Sequence, residues 1–172
     1  MKILKTISII AVLAGFITLG CASKYRPPAQ NYEYTAPAKW DKFSGKDDSF
    51  GFVNDGYGSC IFVNSTCDRY QTTPLNVLTR NLFIGMNDRV VMQKDEATVN
   101  GLPAFHMLMM ATLLDDKEEP VSRVKVSAYT FRVGECVYDV AYAATPDNFD
   151  NGLDDFHKFL DTFKASPAKE AK

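Results

Sequence analysis

Glu96-Ala97-Thr98-Val99-Asn100-Gly101-Leu102-Pro103-Ala104 is the stretch that decides the fold. A two-residue hairpin turn needs positive φ at both central positions, and Asn-Gly supplies it more readily than any other pair. The stretch therefore predicts two antiparallel strands, one over 96–99 and a long one over 104–114. Upstream, residues 89–93 alternate with a period of two and give a further strand candidate. Downstream, residues 115–120 are polar and read as a turn. Residues 121–133 form the next strand, with Val124 and Val126 on one face and Tyr129, Phe131 and Val133 on the other. Gly134-Glu135 turns the chain into a last strand over 136–144.

Further outward the period changes. Residues 50–53 and 59–65 are short strands separated by an Asp55-Gly56 turn. Thr73 caps and Pro74 opens a helix whose stripe is Leu75, Leu78 and Leu82, and Gly85 ends it. Thr145-Pro146 repeats the opening. Phe149, Leu153, Phe156, Leu160 and Phe163 follow at steps of four and three, the face of one amphipathic helix, with Asp147, Asp150, Asp154 and Asp155 near its positive end. Phe156, at the centre of the stripe, should be its most buried member, and Phe159 lies off it. The expected fold class is α+β: an antiparallel meander packed against helices, one after the second strand and one at the end.

The N-terminus carries Lys2 and Lys5, an apolar run over 7–17, and Thr18-Leu19-Gly20-Cys21. Charge, apolar run and small residue in that order mark an export signal, and the run is too short for a confident bilayer span. The junction resembles a lipobox, although Thr18 stands where Leu is usual. The resemblance implies cleavage before Cys21 and attachment of acyl chains (palmitate among them) to it, each buried CH₂ adding about 0.8 kcal/mol of membrane affinity. Ala22, in place of an Asp, implies sorting to the outer membrane, facing the periplasm. The expected organisation is a signal peptide over 1–20, a Pro/Tyr-rich tether over 21–39, one domain over 40–165 and a disordered tail over 166–172.

Loss of residues 1–20 leaves 17 basic against 21 acidic residues, a net charge of −4. That excludes nucleic acid as an expected partner, since phosphate binding needs concentrated Lys and Arg. Cys60, Cys67 and Cys136 remain in an oxidising compartment. Cys60 and Cys67 lie along one extended run and are too far apart to bond unless it bends back. Cys67 and Cys136 both end apolar strands, so the expected disulfide is Cys67–Cys136, with Cys60 free. No CxxC or His pair suggests a metal site.

Four groups of residues are weighed for chemistry. His106-Met107-Leu108-Met109-Met110 has soft donors, but alternation on a strand turns Met107 and Met109 away from His106 and Met110, so core filling is expected. Asp139 sits among apolar residues and should accept bonds from backbone or from Arg132 or Arg123. His157 lies opposite the helix stripe, and Asp115-Asp116 with Glu118-Glu119 form a charged hairpin tip that discourages edge association. No nucleophile elbow, P-loop or Rossmann glycine run is present. Neither a catalytic nor a metal residue is assigned, no cofactor is expected, and the ligand-binding residues are unknown.

Gly101-Leu102-Pro103-Ala104, Cys136-Val137-Tyr138-Asp139-Val140-Ala141-Tyr142 and Phe156-His157-Lys158-Phe159-Leu160-Asp161-Thr162-Phe163 resemble, over roughly residues 40–165, the hairpin, strand and final helix of the PsbP-like family. The resemblance implies an α/β sandwich closed by a C-terminal helix. It implies no active-site residues, because its members of known role act mostly as assembly or binding factors. The expected function is a non-enzymatic, lipid-anchored binding or assembly module of the bacterial cell envelope. The membrane is contacted through the lipid and the protein partner is unidentified. The alternative is a small-ligand or lipid carrier accessory to an envelope transport system.

Overall fold

The computed structural model describes residues 30–45, 49–67 and 69–167. They fold around a seven-stranded antiparallel sheet of β2 (Asp41–Ser44), β3 (Phe50–Asn54), β4 (Ser59–Cys67), β5 (Asn87–Val99), β6 (Leu102–Leu114), β7 (Pro120–Val133) and β8 (Cys136–Ala144), in the order β2-β3-β4-β8-β7-β6-β5. Helix α1 (Leu75–Asn81) connects β4 to β5, and α2 (Phe149–Thr162) follows β8 after one 3-10 turn. Beside the sheet, β1 (Gln30–Glu33) pairs with β9 (Lys164–Pro167).

The Asn100-Gly101 turn forms as expected, with φ of +50° and +79° and Val99 opposite Leu102. The Asn100 side chain also donates to the carbonyls of Leu160 (3.1 Å) and Phe163 (2.5 Å), satisfying acceptors that the end of α2 would otherwise leave open. The two upstream strand candidates are one strand, β5, whose pairing with β6 shifts between Asn87 and Val90 and between Val91 and Gln93.

The sheet is not one meander. β2-β3-β4 and β5-β6-β7-β8 are two meanders joined where β4 pairs with β8. Between them, α1 and the turn after it carry the chain across the sheet to its far edge, burying Leu78, Phe83 and Met86. Helix α1 begins after Pro74, and Thr73 makes no cap: the chain there is extended at Pro74 and no side chain bonds the helix start.

Two apolar clusters lie on opposite faces. One holds Phe83 and Met86 with Met107, Met109, Val124 and Val126, so the methionines fill the core. The other holds Phe149, Phe156, Phe159, Leu160 and Phe163 of α2 and its end, against Ile61, Val63, Tyr138, Val140 and Tyr142. Phe156 is 0 % exposed, as expected of the stripe centre, but Phe159 is also buried at 1 % and Leu153 only partly. The reason lies before Trp40. Tyr34 packs on Phe159 (ring centroids 5.5 Å) and Tyr32 on Phe163 (5.8 Å), which gives the helix a second buried side. Ordered structure thus reaches back to residue 30 and forward to 167, into stretches expected as tether and tail.

Cys67 and Cys136 stand directly opposite in the β4–β8 register and are disulfide-bonded. Cys60 is free and buried in the other cluster, and burial pushes its thiol up to about 12, which keeps it protonated and unreactive. Cys21 lies outside the described residues.

Candidate functional site

Register assembles side chains that are far apart in sequence. Asp95 lies opposite His106 on β5 and β6, and Ser127 on β7, opposite Leu108, is diagonal to His106. His106 Nδ1 is 3.2 Å from Asp95 Oδ1, and His106 Nε2 is 3.0 Å from Ser127 Oγ. With hydrogen on Nδ1, the imidazole donates to the carboxylate and accepts from the serine, the connectivity of a Ser-His-Asp relay. The ring stacks on Tyr129 at 4.5 Å. Burial holds the Tyr129 hydroxyl above its ordinary range, with Asp95 and Asp161 adding to the effect.

The relay lacks the other requirements of a nucleophile. Ser127 is 2 % exposed, so no substrate reaches its oxygen in this conformation. It also sits in mid-strand between β6 and β8, where backbone N–H groups belong to the ladder and are not free to hold an oxyanion. The arrangement ties three strands together. Its sequence signal was the Asn-Gly turn itself, since a hairpin closed at 100–101 sets 95 against 106.

On the opposite face, Glu96, Phe105, Thr130, Asp139 and Asn64 form one cross-strand row. Thr130 Oγ1 donates to Asp139 Oδ1 at 2.8 Å, and Asn64 also bonds the carboxyl. Asp139 as a residue keeps some exposure, but its carboxyl group is desolvated, which raises it to about 6 against the lowering effect of those two bonds. The expected arginine partners are not used. Arg132 instead donates to the carbonyls of Tyr70 and Thr73, fastening the loop that leads into α1.

Beside that row an open cleft of about 760 Å³ lies between the start of α1 and the β5–β6 hairpin. Pro74, Leu75 and Asn76 wall one side, and Glu96, Thr98 and Phe105 contribute the floor. The sequence held no direct signal for it, because its walls are 20 residues or more apart in the chain. Among the described residues no group of three or more His, Cys, Asp or Glu side chains is placed to hold a metal ion. Nor is any helix among them long and apolar enough to cross a membrane.

No protein-family model matches the sequence, and no curated protein sequence does. Solved structures do. LpqN of Mycobacterium tuberculosis, described as involved in cell envelope biogenesis, matches with a TM-score of 0.58 at 12% identity, over 82% of this chain and 86% of that one. Cyanobacterial PsbP (CyanoP) of Synechocystis sp. PCC 6803 matches at 0.53 and 11% identity, over 86% and 99%. PA94 of Pseudomonas aeruginosa matches at 0.53 and 8% identity, over 87% and 92%. Identities this low speak for architecture alone, and the architecture shared with CyanoP and LpqN is the PsbP-like fold, a largely antiparallel sheet with a C-terminal helix.

Proposed function

We propose that the protein is a lipid-anchored, periplasm-facing binding or assembly module of the bacterial envelope, held at the outer membrane through Cys21 and acting without catalysis. The carrying observation is the Gly20-Cys21 junction behind an export signal, nine residues ahead of the first described strand at Gln30. Nine residues span at most about 30 Å, so a lipid on Cys21 would keep the domain near the bilayer. The fold likeness to LpqN, an envelope-biogenesis protein, supports the setting.

The test is Cys21→Ser. The unaltered protein should fractionate with outer membranes after a salt wash, and the variant should be soluble in the periplasm. A variant that stays membrane-bound would remove the anchor from the proposal. In-cell crosslinking of the anchored protein would then name its partner.

The open cleft favours a second reading, a carrier of small ligands or lipids. The face under α2 is filled by aromatic side chains, so any cargo would sit between α1 and the β5–β6 hairpin. A co-purifying lipid or solute lost on blocking this cleft would favour the carrier.

A further inference from the structure

We propose that an extended peptide segment of an envelope partner adds to the outer edge of β5 as a further strand, over Lys94–Thr98, and places a basic side chain against Glu96 in the cleft. The proposal rests on the binding-module reading and specifies the chemistry of the partner.

β5 is the last strand of the sheet, and β6 is its one paired neighbour among the described residues. Which of its backbone groups are open follows from a proline. Thr98 lies opposite Pro103, and proline has no N–H, so this pair must be the wide, non-hydrogen-bonded kind. Antiparallel pairs alternate. Val99, Ala97, Asp95 and Gln93 therefore bond β6, while Thr98, Glu96 and Lys94 direct their N–H and C=O groups outward. Pairing with β6 is unbroken from Gln93 to Val99, and both register shifts lie further along, at 87–93. The bulged half of the edge resists strand addition and the regular half is a template for it.

The same three residues carry side chains on the cleft side. Glu96 and Thr98 line the cleft; Ala97 borders it too but, with Val99, packs into the core beneath α2. A strand added here would send alternate side chains into the space between β5 and the start of α1, the usual division in which main-chain bonds hold and pockets select. Among the described residues, Glu96 is the one ionisable residue lining the cleft, beside Asn76, Thr98 and Phe105. An exposed carboxylate in such a pocket selects a Lys or Arg side chain and disfavours an acidic one. A second copy of this chain fits worse in the two-fold registers centred at Lys94 or Glu96, which set like charges opposite each other, and the register centred at Asp95, which sets Lys94 opposite Glu96, is the dimer excluded or revealed by the sedimentation test below.

The probes are synthetic peptides alternating Thr and Val around a central Lys or a central Glu, with binding to the full mature chain read by fluorescence anisotropy. The lysine peptide should bind about tenfold more tightly than the glutamate peptide, and Glu96→Lys should reverse that preference. Thr98→Pro should abolish binding while leaving the melting temperature nearly unchanged, because it removes an outward N–H and none that bonds β6. Methylating alternate peptide nitrogens should have the same effect.

Equal binding of the two peptides, no saturable binding of the lysine peptide, or full binding by Thr98→Pro would overturn the proposal. So would a β5-dependent dimer in sedimentation. Membrane release by Cys21→Ser is indifferent to these peptides, so an anchored, crosslinkable protein that ignores them would reject the edge site and leave the module reading intact.

Discussion

Asp139→Asn should stabilise the protein above pH 6 and leave it unchanged near pH 4. The carboxyl is raised from 3.8 to about 6, chiefly by burial on the face crossed by the loop into α1. Between those values the folded protein holds a proton that the unfolded chain has released, so stability falls as pH rises through the window. A shift of this size corresponds to at most about 3 kcal/mol at 1.36 kcal/mol per unit. Asparagine resembles the neutral acid in shape and can still meet Thr130, but it has no charge to desolvate. Urea unfolding of both proteins at half-unit steps from pH 4 to pH 8 measures the difference. It should start near zero and level off above pH 6 at up to about 3 kcal/mol in favour of the variant, roughly 10 °C in melting temperature for a domain of this size. A difference that is flat with pH would mean that the carboxylate is solvated. One that grows toward acid, with the wild type gaining stability as pH rises, would mean that the ionised form is the favoured one and that the burial argument has the wrong sign.

Phe159→Ala should cost about as much as Phe156→Ala, some 3–5 kcal/mol by denaturant unfolding, because both rings are fully enclosed and Phe159 also touches Tyr34 and Phe52. If Phe159→Ala is markedly milder, the segment before Trp40 does not cover the helix in solution. Replacing Cys67 and Cys136 together by Ser should cost roughly 4 kcal/mol, since the bridge closes a separation of 69 residues in the unfolded chain. Reduction of the wild type should match that loss, and Cys60→Ser should not reproduce it.

The strands, their alternation and the hairpin turns were legible in the sequence because they depend on neighbours. Asn100-Gly101 fixes a turn by its backbone preferences, and the 149–163 periodicity marks a helix face without reference to anything it touches. The Cys67–Cys136 bridge was within reach for the same reason, as two cysteines ending apolar strands. Tertiary structure decided what depends on distant partners. The pairing of β4 with β8, which splits the sheet into two meanders, brings together segments 69 residues or more apart, from Cys67 opposite Cys136 to Ser59 opposite Ala144, which no local pattern links. The burial of Phe159 is set by Tyr34, 125 residues earlier in the chain. Asp139 met Thr130 and Asn64 instead of an arginine because only register says which side chains share a row. The open edge over Lys94–Thr98 and the cleft beside it needed both kinds of information. Local chemistry, a turn and a proline, sets which backbone groups face outward, and the long-range strand order leaves them without a neighbouring strand among the described residues.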